Sequence, residues 1–134
     1  YCQAWHLTWD GVPLFPEKIE AWAGGPVVPD LYQWHRGEYS VDGWARGDAA
    51  KLGESERASV EAVVSAYGRL SGRQLSQLTH SEAPWRDARG GLGSGDRGSA
   101  VISLNTMREY YSGLDSDEAA TPVDELATTG VGAA

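Results

Sequence analysis

Apolar positions at Tyr1, Ala4, Trp5 and Trp9, with Thr8 beside them, keep the three- and four-residue spacing of one helical face. The first element is therefore a helix from Tyr1 to Trp9, stopped by Asp10-Gly11. It opens on an aromatic without a capping residue, so it reads as the second half of something longer. Two prolines between Val12 and Pro16 demand a turn or an extended loop. Glu17 to Trp22 suits a short extended piece, after which Gly24, Gly25, Pro26 and Pro29 break regularity from Ala23 to Pro29. Pro29 fits the first position of a short helix, with Asp30 in its first turn and Leu31, Tyr32 and His35 on one face. Gly37 ends it.

Glu38 to Gly53 is a polar, glycine-punctuated connection whose anchors are Tyr39, Val41 and Trp44, and its length predicts partial disorder. Val60, Val63, Val64 and Tyr67 then mark the most regular helix of the chain, from Glu54 to Tyr67. Ser71 and Gln74 form a capping box for a helix that buries Leu75 and Leu78 and ends near His80. Pro84 starts a short turn through Arg89. Gly90 to Gly98 is a flexible loop by composition, and Ala100 to Ser103 is briefly extended. Ser103 caps a last helix with Leu104, Met107, Tyr110 and Tyr111 on one side. Beyond Gly113 large apolar residues nearly vanish, which predicts a disordered acidic tail. The expected fold is mainly α: a small helical domain over residues 1–112 with short extended segments, an N-terminal helix missing before it, and a tail over 113–134.

Charge sharpens this picture. The net formal charge is −8, distributed as −4 over residues 1–50, +1 over 51–112 and −5 over 113–134. An acidic balance argues against nonspecific nucleic-acid binding, which rests on neutralising phosphates. Six Trp and six Tyr stand beside one Phe and one Met, so core and interface alike must use rings whose polar tips need partners when buried. A single cysteine excludes an intrachain disulfide framework and fits a reducing compartment. No apolar run approaches the roughly 20 residues of a membrane span, and no signal-peptide pattern opens the chain. A cytoplasmic protein without membrane attachment is expected.

The chain offers little chemistry. Gly93-Ser94-Gly95-Asp96-Arg97-Gly98 spells G-x-G-x-x-G, but a dinucleotide fingerprint must follow a strand and open a helix, and here the order is reversed. Cys2 and His6 are four apart on one helix, the spacing of a thiolate–imidazole pair; a small buried cysteine is the plainer reading. Three scattered histidines lack zinc-site spacing. His80, between Thr79 and Glu82, suits a hydrogen-bonded structural residue. Arg69, Arg73, Arg86, Arg89, Arg97 and Arg108 form a patch for nucleic acid, for a protein partner, or merely a charged surface balanced by its own carboxylates; the last is favoured because the segment is nearly neutral. No catalytic, cofactor or metal residue is assigned, and an enzyme is not expected.

Three stretches carry a resemblance. Tyr1 to Leu7 followed by Pro13-Leu14-Phe15, then Ile19 to Trp22 with Gly25 to Tyr32, and later Leu75 to His80 with Pro84-Trp85, resemble the Panacea domain, the family of SocA-like antitoxins and phage-associated GepA-like proteins. The likeness runs to about Tyr111. It implies a small, mainly helical domain that neutralises a toxin encoded beside it, in a type II pair where both components are proteins. The partner implied is a cognate protein toxin; alternatives are an adaptor delivering a toxin to a protease, or a nucleic-acid-associated regulator. The motif positions offered for partner binding are Trp5, Trp22, Pro26, Val27, Val28, Pro29, His80, Pro84 and Trp85. Trp22, Trp34, Trp44 and Trp85 would serve as interface anchors beside the Gly25–Pro29 turn; core packing is the competing role, favoured for Trp5 and Trp22. Family members carry a helical segment ahead of the position of Tyr1 that this chain lacks.

Overall fold

Six helices and one hairpin form among residues 1–38, 40–43 and 46–118, the part of the chain described by the computed structural model. In order these are α1 (Cys2–Asp10), β1 (Glu20–Trp22), β2 (Gly25–Val27), α2 (Pro29–His35), α3 (Glu54–Tyr67), α4 (Gly72–His80), α5 (Ala83–Arg89) and α6 (Leu104–Glu118), with a 3-10 turn at Ala49–Lys51. The architecture is mainly α, as the periodicity predicts.

Helix α1 lies against both α3 and α6, and so buries five consecutive residues, Gln3 to Leu7. That widens the expected stripe at one end and trims it at the other: Ala4 and Trp5 are buried as expected, Gln3 and His6 join them inside, and Trp9 is 42% exposed. Both polar side chains find partners far along the sequence. The Gln3 carbonyl oxygen accepts from the backbone N–H groups of Leu14 (2.7 Å) and Phe15 (3.3 Å), and its amide donates to the Phe15 carbonyl (2.9 Å). His6 Nδ1 lies 2.8 Å from Ser59 Oγ on α3. Gly11 ends α1 in the left-handed region at φ 77°, its N–H returning to the Leu7 carbonyl.

The break expected after Trp22 is a two-residue turn. β1 and β2 pair antiparallel, with Glu20 opposite Val27, Ala21 opposite Pro26 and Trp22 opposite Gly25. Proline and glycine misled the prediction because β2 is an edge strand, where proline is tolerated. On the other side of β1 the segment from Ala100 to Ile102 adds a third row: Ala21 N–H donates to the Ala100 carbonyl and Ile102 N–H to the Ile19 carbonyl, both at 2.8 Å. The core joins α1, β1, α3, α5, this segment and α6 through Ala4, Trp5, Leu7, Ala21, Val63, Trp85, Ile102, Met107 and Tyr111.

Three further expectations change. Val64 points outward, 59% exposed, because α3 turns Ser59 and Val63 toward α1. The Gly90–Gly98 loop is held rather than loose: Arg89 Nη2 donates to the carbonyls of Gly93 (2.9 Å) and Asp96 (2.6 Å), and the Asp96 carboxylate accepts from Gly93 N–H (2.9 Å). Ser103 does cap α6, accepting from Thr106 N–H at 3.0 Å, but α6 continues past Gly113 to Glu118. Leu114 packs on the core and the Asp115 carboxylate accepts the Trp9 indole N–H at 3.3 Å, which fixes the extra turn. The rest of the expected tail, 119–134, lies outside the described residues, as do the expected anchors Tyr39 and Trp44.

Candidate functional site

The motif residues divide between a braced framework and an open face. Trp85, buried on α5, donates its indole N–H to the Trp22 carbonyl at 2.9 Å and so clamps the end of β1. His80 at the end of α4 stacks on the Trp85 ring, with centroids 3.9 Å apart and planes at 20°. Its Nε2 is buried and has no hydrogen-bond partner among the described residues, so stacking, not the hydrogen bond expected for it, places this ring. Pro84 is buried in the first turn of α5. Arg89, 5% exposed, extends its guanidinium to 5.4 Å from the Trp85 ring. Across the hairpin turn, Ser76 donates to the Gly24 carbonyl at 2.5 Å. Gly25 adopts φ 139°, and a side chain there would reach Thr79 Oγ1 at 3.5 Å; only glycine takes that backbone conformation freely.

A second cluster surrounds Glu82. This carboxylate, 6% exposed, accepts the Tyr1 hydroxyl at 2.5 Å and the Tyr111 hydroxyl at 2.9 Å. Burial raises the Glu82 pKa above its ordinary value, against the opposing pull of the two phenols; burial followed by the facing carboxylate raises both tyrosine pKa values. Tyr1 stacks on Tyr67 at 4.2 Å, Trp5 meets Tyr111 edge-on at 5.3 Å, and the Trp5 indole donates to the Tyr67 hydroxyl at 3.0 Å. A cavity of about 50 Å³ opens between Glu82, Trp85 and Tyr111, room for little more than water.

The open face lies on α2, none of whose residues is buried. Leu31, Tyr32 and Trp34 are 42%, 43% and 51% exposed. Tyr32 meets Trp22 edge-on at 5.0 Å and ties the helix to the hairpin. Trp22 in turn donates its indole N–H to Glu20 at 2.9 Å; that bond first, and Lys18 second, hold the Glu20 carboxylate below its ordinary pKa. Val28, Leu31 and Trp34, three apart, line a groove of about 430 Å³ with Phe15, Glu17 and Asp30.

Of the motif positions, then, Trp5, Pro84 and Trp85 are buried; Trp22, Val27, Val28, Pro29 and His80 are half-buried; Pro26 is exposed. Trp22, His80 and Trp85 come together; Trp5 belongs to the Glu82 cluster. Val28 and Pro29 lead into the α2 face. Gln3 and Glu82 escaped the sequence reading, and Arg89 entered it only as part of a surface patch, since their partners are far away or are backbone groups that leave no local signature.

The remaining chemical candidates take structural places. His6 turns its Nδ1 to Ser59 and lies 3.6 Å from the Asp10 carboxylate. Arg89 leaves the surface patch for the interior, while Arg69, Arg73, Arg86, Arg97 and Arg108 stay exposed. Gly93 to Gly98 wraps the Arg89 guanidinium and leads from a helix into the row beside β1, the wrong context for a dinucleotide. Among the described residues, no group of three or more His, Cys, Asp or Glu is placed to hold a metal, and no helix is long and apolar enough to cross a membrane.

No curated protein and no solved structure matches the chain. A protein family does: the family of SocA-like antitoxins, defined by the Panacea domain, matches residues 1–86. The match covers α1, the hairpin, α2 to α4 and the start of α5, and it stops short of Tyr111, although Ile102, Met107 and Tyr111 complete the same core. With nearly two thirds of its length matched, motif stretches included, the chain belongs to the SocA-like antitoxin family with the Panacea domain.

Proposed function

We propose that this protein is the antitoxin of a type II toxin–antitoxin pair, neutralising a protein toxin encoded beside it by direct binding in the cytoplasm and without catalysis of its own. Family membership supports the antitoxin role. The observation that carries direct binding is α2: a helix with no buried residue that presents Leu31, Tyr32 and Trp34 to solvent. Large aromatic side chains exposed together, on a helix fixed to a braced hairpin, suit a protein interface. Co-expression tests the reading. A neighbouring gene should arrest growth alone, be rescued by this chain, and yield a product that co-purifies with it. Rescue without a stable complex, accompanied by falling toxin levels, would instead mean delivery to a protease. If no neighbour is toxic, the proposal fails.

A further inference from the structure

The groove beside α2 combines three properties. Its apolar lining is Phe15, Val28, Leu31 and Trp34; its two charged residues, Glu17 and Asp30, are both acidic and exposed. The Trp34 ring carries a cation of this same chain, the Arg46 guanidinium, 3.4 Å from the ring centroid. An indole face attracts a guanidinium through its quadrupole, and two carboxylates on the same groove add to that attraction. Without Arg46 in place, a negative charge here would face only the carboxylates of Glu17 and Asp30.

We propose that this groove receives a cationic segment of the partner protein, an arginine with an adjacent aliphatic or aromatic anchor, and that Arg46 is a tethered stand-in displaced when that arginine docks. The inference rests on the antitoxin reading for the identity of the partner, but not for the chemistry of the groove. Binding seats the partner's arginine on Trp34 between Glu17 and Asp30, while its apolar neighbour covers Leu31 and Val28. Arg46 competes from within the chain, so its release lowers apparent affinity and sharpens selection for a partner with the stronger anchor.

Fluorescence anisotropy with labelled peptides tests the groove on the full chain. One peptide alternates Arg with Leu, a second replaces Arg with Glu, and a third replaces Leu with Ser. The Arg/Leu peptide should bind, more weakly as salt rises, and Trp34→Ala or the pair Glu17→Lys and Asp30→Lys should each weaken it about tenfold or more, as for interface hot spots. Arg46→Ala should tighten it severalfold. Equal binding of the Glu peptide, equal binding of the Ser peptide, indifference to Trp34→Ala, or loss of affinity in Arg46→Ala would overturn the proposal. Circular dichroism checks that each variant is folded. With a toxin in hand, a Trp34→Ala chain that still neutralises and binds it as well as the parent sinks the groove while leaving the antitoxin reading intact. Absence of any toxin sinks that reading while the peptide measurements still decide the groove.

Discussion

The Glu82 cluster and the α2 face are built from the same residue types and do opposite things. Inside, the polar tips are answered: Trp5 donates to Tyr67, and Tyr1 and Tyr111 donate to Glu82. On α2, Trp34 lies half in solvent with its ring under Arg46, and among the described residues the Tyr32 side chain is held only at an edge of Trp22. Aromatic content alone therefore does not separate core from exposed face here. What separates them is whether the chain supplies a partner for the polar end.

Substitutions break the two regions differently. Trp5→Ala should cost about 3–5 kcal/mol, the usual loss for a large core aromatic, read as a lower urea midpoint, and should abolish partner binding by unfolding. Arg89→Ala removes the guanidinium that holds the Gly93 and Asp96 carbonyls; a loss of about 2 kcal/mol is expected for charged hydrogen bonds, with limited proteolysis shifting to residues 90–98. Glu82→Gln should alter the pH dependence. The folded-state pKa of Glu82 lies above its ordinary value of about 4.5, so the folded state holds more protons in that window and stability falls as pH rises from about 4.5 through the folded pKa. The amide introduced by Glu82→Gln accepts the same phenols without a charge, and denaturation at several pH values should show that slope reduced. Trp34→Ala should change stability by no more than about 0.5 kcal/mol, as for exposed positions, yet reduce partner binding. A large loss of stability in this last variant would make α2 part of the framework and erase the contrast.

Much of the framework was legible because its signals are local. The Ser71–Gln74 capping box opens α4 with reciprocal bonds of 2.8 and 3.1 Å, Ser103 caps α6, and Pro29 starts α2. The candidate face was legible in part: Pro29 to Trp34 stood out as aromatic and motif-bearing, but its exposure depends on what packs elsewhere. The hairpin was hidden because a glycine–glycine–proline run signals a break, while its stability comes from Trp85, Ser76 and the Ala100–Ile102 row. Gln3, His6 and Arg89 were illegible for the same reason. Each is polar and buried, and each is met by groups elsewhere in the chain, Ser59 for His6 and the Ala21 carbonyl for Arg89 among them.

The hairpin's outer strand limits how any other molecule can attach. Trp22 and Gly25 flank a two-residue turn and form its hydrogen-bonded pair. The backbone groups of Pro26 consequently face away from β1, and a proline has no N–H to offer. The inner strand is already closed by Val101. Along β2 a foreign strand finds three residues, without a donor at the middle one, so this edge offers no template for backbone pairing with another copy or an extended partner. Recognition by this hairpin must go through side chains.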